Sequence, residues 1–370
     1  MKQKSRNLRP DSGLDTVLSS VLCVLAGLLI GFVILLLIEP GAAVDGISDI
    51  LLAYFRMPGK LMFKYLGQTL VRGIPLLLCA LSVILAQKAG VFNIGVAGQY
   101  TGAACICLYS ALAWKLPWYA CVLLAIAVGA AIGALPGILK LYRNVNVVVS
   151  GIMINWITLY LSNWILDRVK QLSGPDTLSI QGTNASALLP KMGLDKLFSG
   201  EKTVTIALPV GILVAVGIWV LLNKTVFGYE LRAAGNSPAA ARYAGMKEKR
   251  ILLQTLMISG ALAGLGAACL YLSGIENWKT TSTVLPAVGF SSIAVAFLGG
   301  LDPLGAIASS FFIQHITMGG GDLDLRYYSP QITELISGLI IYLCAFAGCF
   351  KLWLRERRRR QTTDNRREQA

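Results

Sequence analysis

The sequence is poor in the residues on which soluble enzymes and metal proteins depend. Only 14% of its 370 residues are charged, and it contains a single histidine. A metal site needs several ligands at fitting spacings, and a hydrolytic site needs a nucleophile within reach of a base. Neither pattern can be read from this sequence, so we expect no catalytic residue, no metal site and no cofactor bound by the chain itself.

The sequence also lacks the phosphate-binding loop of many ATPases. No segment matches GxxxxGK[ST], the pattern whose backbone N–H groups cradle the phosphates of ATP. The eight cysteines lie in apolar segments without a CxxC pair, which is typical of small packing side chains rather than of a redox or zinc site. His315, the single histidine, lies in an apolar run, where we expect it to pack or to form a hydrogen bond.

Apolar residues are what the sequence has in abundance. They make up 55% of the chain, and the mean hydropathy of +0.64 is too high for a soluble domain of this length. The net charge is +14, but basic residues gather at both ends of the chain. This distribution favours cytoplasmic anchoring beside anionic lipid over nucleic-acid binding. The composition therefore predicts a multi-pass membrane protein.

Ten apolar runs predict an all-α bundle of about ten transmembrane helices. An even number of spans puts both termini on one side, and the excess of Lys and Arg assigns that side to the cytoplasm. The expected organisation is a basic cytoplasmic N-terminus at 1–15, a membrane domain at 16–350 and a basic cytoplasmic tail at 351–370. The ten runs are 16–38, 69–86, 92–112, 118–139, 145–166, 204–223, 251–273, 288–298, 304–318 and 332–350.

Two polar segments of the membrane domain are expected on the external side. The first, 39–68, contains an amphipathic run at 50–57 that we expect to lie at the outer membrane interface. The second is the external loop 167–203, whose SGPD and QGTN sequences are turn signals. Arg72 lies close to the outer end of the second run, where snorkelling toward the surface explains it better than ligand binding does.

Glycines spaced four residues apart predict close contacts between helices. Small residues on one helical face let two backbones approach each other, which is a frequent mode of packing in membranes. The glycines of this kind are Gly98 and Gly102, then Gly129, Gly133 and Gly137, then Gly260 and Gly264.

The loop 224–250 is the cytoplasmic segment with the clearest local structure. Ser237 is a good N-cap, Pro238 suits the first helical position, and Gly245 stands where a left-handed stop is wanted. A helix of barely two turns is marginal in water by itself, so something must pack on it. Either a groove on a partner protein takes this helix, or it lies at the lipid headgroups as an ordinary basic loop.

Polar residues within the apolar runs are the candidates for a solute path. Asn93 and Gln99 lie in the glycine-rich entry to the third run, and a comparable turn occupies 299–309, either as an internal repeat or as common hairpin chemistry. Asn155, Thr158 and Ser162 share one helical face, and a second stripe holds Ser310, Gln314 and Thr317. Such stripes can bond a hydroxylated solute transiently, but bonding to neighbouring helices is the more ordinary role.

Three motifs in order give the sequence a specific resemblance. GVFNIGVAGQ, then LRAAGNSPAAARYAGM, then VGFSSIAVAFLGGLDPLG resemble the permease subunits of bacterial ABC importers for nucleosides and simple sugars, a family that includes ribose and branched-chain amino acid permeases. The resemblance covers about residues 69–350 and is nearest to the nucleoside branch. One departure is VNVVV at 145–149, where similar permeases have VNEVI, so a role for that acidic position does not carry over.

The resemblance implies a transport subunit of the bacterial cytoplasmic membrane that works by alternating access. It implies a second permease subunit, identical or paralogous, an extracytoplasmic substrate-binding protein, and two cytoplasmic ATPases that hold ATP and Mg²⁺. By this analogy 237–245 is the coupling helix within the coupling loop 224–250. The residues expected to meet the ATPase are Glu230, Arg232, Gly235, Asn236, Ser237, Pro238, Ala240, Arg242, Tyr243 and Gly245.

The expected solute is a nucleoside, and a simple-sugar permease is the alternative. A secondary transporter is less favoured, because such proteins usually carry an ionisable residue in mid-membrane and the predicted span interiors hold almost no acidic residue. The candidate residues of the solute path are Asn93, Gln99, Asn155, Thr158, Ser162 and Gln314.

Overall fold

The computed structural model is a bundle of α-helices. It describes residues 13–52, 54–172, 174–321 and 326–328, with positions 335, 338, 339, 342 and 343. The described residues form fourteen α-helices and no β-strand; of the two isolated bridges, one lies within the loop 167–203 and one joins Asp176 of that loop to Lys279. The helices are α1 (Gly13–Ile38), α2 (Ala43–Leu52), α3 (Gly59–Lys88), α4 (Val96–Leu112), α5 (Trp118–Arg143), α6 (Val147–Leu166), α7 (Ile180–Thr183), α8 (Leu194–Leu197), α9 (Ala207–Lys224), α10 (Val226–Asn236), α11 (Pro238–Tyr243), α12 (Glu248–Tyr271), α13 (Ala287–Leu298) and α14 (Pro303–Gly321).

Nine of the ten apolar runs coincide with helices, and the tenth, 332–350, lies largely outside the described residues. Six of the described helices are long and apolar enough to cross a membrane. The chain is therefore a multi-pass, all-helical membrane protein. The six segments are Val21–Ile38, Gly59–Lys88, Trp118–Arg143, Val147–Val169, Ala207–Lys224 and Glu248–Tyr271.

Helices α3 and α12 form the centre of the bundle. α3 is surrounded by α9, α12, α13 and α14, and every residue from Ile74 to Ala86 is buried. α12 packs along α5, α3 and α4. α3 is apolar on all sides over this stretch, which is typical of a helix surrounded by protein and not of a surface helix with one polar face. By contrast, α6 and α9 expose broad apolar faces, as expected of helices at the edge of a membrane bundle.

The predicted glycine contacts join α5 to α12. A Cβ atom added to Gly260 would lie 2.1 Å from the Gly129 carbonyl oxygen, and one added to Gly133 would lie 2.4 Å from the Leu256 carbonyl oxygen. These distances leave no room for any side chain, so the two backbones touch directly. The prediction of close packing through small residues is confirmed at this pair.

The first external segment corrects one expectation. Its helix is α2 at Ala43–Leu52, so only the first three residues of the amphipathic run 50–57 are helical, and its place at the membrane interface stays a prediction. The helix lies earlier because α2 packs on α14, where a Cβ on Gly319 would lie 2.4 Å from the Ile50 carbonyl oxygen. After α2 the chain turns, and Arg56 pairs there with Asp49. The segment is also shorter than expected, because α3 already begins at Gly59.

Two helix hairpins share one turn chemistry. Between α3 and α4, Gly90 has φ +76° and the Asn93 Oδ1 atom accepts a bond from the Gly95 N–H at 3.0 Å. Between α13 and α14, Gly300 has φ +69° and the Asp302 Oδ2 atom accepts from the Leu304 N–H at 3.0 Å. In both hairpins a glycine with positive φ follows the first helix, α3 or α13. An amide or carboxylate side chain then accepts hydrogen bonds from the backbone N–H groups at the start of the next helix.

Candidate functional site

Helix α10 rests on the end of α3 through a glycine contact. Thr225 caps α10 by accepting a bond from the Gly228 N–H at 3.1 Å. At the other end a Cβ on Gly235 would lie 2.2 Å from the Lys88 carbonyl oxygen, so α10 meets the turn before α4 backbone to backbone. Arg232 donates to the Gly228 carbonyl at 3.3 Å, and Glu230 is half-buried. These contacts fix the direction in which the chain enters α11.

Helix α11 has the local structure that its sequence predicts. The Ser237 side chain accepts from the Ala240 N–H at 3.4 Å, Pro238 occupies the first turn, and Gly245 has φ +80°. Ala241 faces inward and is buried, whereas the Tyr243 side chain is 95% exposed. The exposed residues form what we call the α11 surface: Asn236, Ser237, Pro238, Ala239, Ala240, Arg242 and Tyr243. It joins small side chains to one cation and one aromatic ring, a composition suited to a protein groove.

An ion pair and a short hydrogen-bonded turn connect helix α11 to α12. The Arg242 guanidinium forms an ion pair with Glu248, the first residue of α12. The Met246 N–H donates to the Ala241 carbonyl at 3.0 Å. Arg242 is largely exposed, so the ion pair itself adds little to stability. Its geometry still links the α11 surface to the helix that packs on α3, α4 and α5.

A buried polar network joins α3, α4 and α12. The Asn93 amide donates to Ser259 Oγ at 2.9 Å and to Gln99 Oε1 at 3.1 Å. The Ser259 hydroxyl donates to the Ser82 carbonyl at 2.9 Å, and the Ser82 and Ser259 hydroxyl oxygens lie 2.6 Å apart. All four side chains are at most 1% exposed. We call this set, Ser82, Asn93, Gln99 and Ser259, the polar network.

The candidate path residues of α6 lie beside the polar network. Asn155 accepts from the Gly98 N–H at 2.7 Å and donates to the Ile94 carbonyl at 3.0 Å. Thr158 bonds to its own helix, and Ser162 donates to the Thr101 carbonyl of α4 at 3.5 Å. Each therefore has a partner within the bundle. The sequence stripe on α6 is thus a seam between α6 and α4.

Gln314 is not part of this group. It lies on α14, and a Cβ atom added to Gly73 of α3 would lie 3.9 Å from the Cβ atom of Gln314. The sequence also placed His315 on this helix, and there its Nε2 atom lies 3.1 Å from the Leu51 carbonyl oxygen and its ring 4.5 Å from that of Tyr54. Packing with a hydrogen bond, as expected for His315, is confirmed.

An outer cleft opens at the far end of α12 from α11. α12 has 24 residues, so its two ends are about 36 Å apart at 1.5 Å per residue. The cleft encloses about 460 Å³ and is lined by Asp176 of the loop 167–203 and by Tyr271, Glu276, Asn277, Trp278 and Lys279. Glu276 also pairs with Arg72 of α3 at 3.5 Å, a contact that snorkelling did not anticipate.

Sequence reasoning missed Ser82 and Ser259 of the polar network and most of the outer cleft. A serine in an apolar run is ordinary, and nothing in the sequence shows that two serines 177 residues apart are in contact. The signal that was available is the cluster of polar and aromatic residues at 276–279, immediately after a predicted span.

Comparison with known proteins adds a family and several relatives. A family model described as "Branched-chain amino acid transport system / permease component" matches residues 65–345. The chain is 30% identical over 290 residues to the nucleoside ABC transporter permease protein NupB of Lactococcus lactis subsp. cremoris, covering 76% of this chain and 79% of that protein. It is 32% identical over 286 residues to the guanosine ABC transporter permease protein NupP of Bacillus subtilis, covering 76% and 81%.

A third relative carries a different solute in its name. The chain is 29% identical over 344 residues to a glucose ABC transporter permease protein of Haloferax volcanii, covering 90% of this chain and 87% of that protein. The stretch matched by the family model contains the α11 surface, the polar network and the outer cleft.

Proposed function

The chain belongs to the family of branched-chain amino acid transport system permease components, and on that premise we propose that it is the transmembrane permease subunit of an ATP-driven importer of nucleosides. The proposed substrate class is supported by the similarity, at 30% and 32% identity, to relatives named as nucleoside and guanosine permeases. A simple-sugar permease is the second candidate, favoured by the glucose permease relative at 29% identity.

The proposal includes a topology. The six candidate spans together with α4, α13, α14 and the run 332–350 make ten transmembrane helices, with both termini in the cytoplasm of a bacterial cell. In this arrangement the basic segments 1–15 and 351–370 and the coupling loop 224–250 face the cytoplasm, and the loop 167–203 faces outward. The positive-inside bias supports the orientation.

The partners in this proposal are those of an ABC importer. Two cytoplasmic ATPase subunits bind ATP and Mg²⁺, a second permease subunit of identical or paralogous sequence completes the pore, and an extracytoplasmic protein delivers the solute. The ATPase docks on α11 and its flanks, from Glu230 to Gly245. The exposed Tyr243 and Arg242 support this docking, because aromatic and Arg side chains are frequent anchors at interfaces.

We propose that the movement that the ATPases impose on α11 is transmitted to α12 and, through the polar network, to α3 and α4. α12 touches all the helices concerned, so displacing its cytoplasmic end strains the bonds of Ser259 to Asn93 and Ser82. The candidate path residues Asn93, Gln99, Asn155, Thr158, Ser162 and Gln314 would exchange bonds within the bundle for bonds to solute as the helices rock. Such exchange suits alternating access, because no charge holds the solute in place.

Uptake of a labelled nucleoside by cells that make the complete transporter tests the proposal. We expect uptake to be competed by excess unlabelled nucleosides and not by ribose, and to be lost when the ATPase phosphate-loop Lys is replaced. Competition by ribose or glucose alone would favour the sugar permease. Uptake driven by a proton or sodium gradient without the ATPase would move the protein to another transporter class.

A further inference from the structure

Helix α6 carries three aromatic side chains on its exposed side. Trp156, Tyr160 and Trp164 follow one another at intervals of four residues, and their exposed fractions are 43%, 57% and 63%. At about 100° per residue they lie nearly opposite Asn155 and Ser162, which bond to α4. We call Trp156, Tyr160 and Trp164 the aromatic face. Its rings offer open surface to whatever lies beside α6.

Contacts along the helix order the rings of the aromatic face. The rings of Trp156 and Tyr160 are stacked, with centroids 6.1 Å apart and planes 24° from parallel. Toward the outer end, the Arg168 guanidinium lies 4.7 Å from the centre of the Trp164 ring. Side chains that are already ordered lose little freedom when a ligand binds, which lowers the entropy cost of binding.

The depth of the aromatic face in the membrane is unusual. α6 has 20 residues, so Trp156, its tenth residue, lies about 14 Å from its start and close to the middle of the span. Trp and Tyr are ordinarily enriched at the two membrane surfaces, a position that only Trp164 approaches. By comparison, α9 exposes Leu213, Val216 and Val220. A helix face that meets only lipid thus has an ordinary example in α9, which the aromatic face does not match.

Two polar atoms of the aromatic face have no hydrogen-bond partner in the part of the chain that the structure describes. They are the Trp156 Nε1–H and the Tyr160 hydroxyl. Hydrocarbon supplies no acceptor, so a donor that faces lipid at this depth costs free energy, whereas water or a polar solute supplies a partner. α6 contains no charged residue, so a path along it suits an uncharged solute.

We propose that the aromatic face of α6 lines the solute path between this chain and the second permease subunit, and that Trp156 and Tyr160 bind the base of a nucleoside by stacking. Aromatic rings stack on planar heterocycles, and the two free donors suit the oxygen and nitrogen acceptors of a nucleoside. A simple sugar lacks the planar ring. This inference rests on the proposed function and adds to it the residues that recognise the base.

Cysteine accessibility tests whether the aromatic face meets a path or lipid. Ile157→Cys places a thiol between Trp156 and Tyr160 without removing a ring, and Leu213→Cys of α9 is the matched control, since the two side chains are 60% and 68% exposed. The described native cysteines are buried, and the unsubstituted protein gives the background.

The reagent is a positively charged, membrane-impermeant methanethiosulfonate, applied to the transporter of both permeases and both ATPases in lipid nanodiscs. We expect Ile157→Cys to react at least about tenfold faster than Leu213→Cys in the nucleotide-free or the ATP-bound state, because a hydrated reagent enters a path and not hydrocarbon. Equal rates in both states would place the aromatic face against lipid or directly against the partner subunit, and would overturn the assignment.

Protection by solute then tests the binding of the base. We expect adenosine and uridine to slow the reaction of Ile157→Cys at least about fivefold and ribose to leave it unchanged, since a stacked base covers the rings on either side of this position. Absence of protection by both nucleosides, or equal protection by ribose, would contradict the stacking contact.

Substitutions of the rings test their part in transport. Trp156→Leu and Tyr160→Leu should lower the initial rate of adenosine uptake about tenfold, a loss within the range of base–aromatic stacking, whereas Trp156→Phe keeps a ring and should retain most of the uptake. Leu161→Ala is the matched control, since Leu161 is 48% exposed beside Tyr160 and contributes no ring. Equal losses in Trp156→Phe and Trp156→Leu, with unaltered gel-filtration profiles and ATPase copurification, would contradict a role of the ring face.

The two proposals fail in different ways. If cells with the wild-type transporter do not take up nucleosides, the proposed function is wrong. If they do, and Ile157→Cys is neither reached by the methanethiosulfonate nor protected by adenosine, the function stands and the path along α6 is wrong.

Discussion

At the residue scale, Ser259 is the point where three helices share polar bonds. Its hydroxyl accepts from Asn93 and donates to the Ser82 carbonyl, all in a region without exposed surface. A single interhelical hydrogen bond in a membrane protein contributes only about 0.6 kcal/mol, which is a small fraction of stability. A network has a larger effect when it is broken, because each abandoned polar group stays buried.

We therefore expect Ser259→Ala to destabilise the protein by about 1 to 2 kcal/mol and to slow transport. The substitution removes the acceptor of the Asn93 amide and leaves the Ser82 hydroxyl without that partner. Thermal unfolding of the purified complex and initial rates of uptake give the two measurements.

Ser292→Ala is the control for this prediction. Ser292 is equally buried, and among the described residues its hydroxyl bonds within its own helix alone, to the Gly289 carbonyl at 2.7 Å. It should change both measurements far less. Equal effects of the two substitutions would mean that the bonds of the polar network contribute no more to stability or transport than those of an ordinary buried serine.

At the element scale, α11 is a short helix that the rest of the chain holds in place. Its cap, its stop and its buried Ala241 fix its position, while Tyr243 and Arg242 remain exposed. Six residues cannot form a stable helix by local hydrogen bonds alone, so these tertiary contacts are necessary. What they stabilise is an exposed surface, which is unusual unless another protein covers it.

We expect Tyr243→Ala and Arg242→Glu to reduce copurification of the ATPase with the permease at least about tenfold, as for interface anchors that contribute 1.4 kcal/mol or more. Arg242→Glu also reverses the contact with Glu248 and should lower uptake further. The measurement is the ratio of ATPase to permease after affinity purification from membranes.

Tyr119→Ala is the matched control for the α11 surface. Tyr119 is 56% exposed and lies at the start of α5, at the opposite end of the bundle. It should leave the ratio unchanged. A ratio that is equally unchanged in Tyr243→Ala would place the ATPase elsewhere on the protein.

At the scale of the whole molecule, the two ends of the bundle differ in character. One end carries the α11 surface and the turns before α4 and α14, and the other carries the loop 167–203 and the outer cleft. α12 runs from one end to the other and touches the core along its length. One helix therefore connects the α11 surface to the outer cleft.

The proposed orientation predicts which end a reagent reaches first. The six described cysteines are buried, so a cysteine placed on the surface should react selectively. In intact cells without an outer membrane, a membrane-impermeant maleimide should label Lys196→Cys, in the loop 167–203, and should label Lys249→Cys, exposed beyond the proposed docking surface, only after permeabilisation. The unsubstituted protein gives the background. The reverse pattern would invert the topology.

The class of the protein, most helix bounds and the local structure of α11 could be predicted from the order of the residues alone. Periodicity, capping residues and glycine spacing act over a few residues, so Ser237, Gly245 and the glycine faces of α5 and α12 could be interpreted without a structure. The motif resemblance supplied the family for the same reason, since it depends on residues that are adjacent in the chain. The position of α2 at Ala43–Leu52 was not predicted, because it depends on contact with the distant helix α14.

Contacts between residues that are distant in the chain depend on how the helices pack and could not be predicted. Ser82 with Ser259, Arg72 with Glu276 and Asp176 beside Lys279 are separated by about a hundred residues or more, and no local pattern carries information on such pairs. The polar stripe on α6 illustrates the reason. Helical spacing places Asn155 and Ser162 on one face, but whether that face meets solute or α4 depends on how the helices pack.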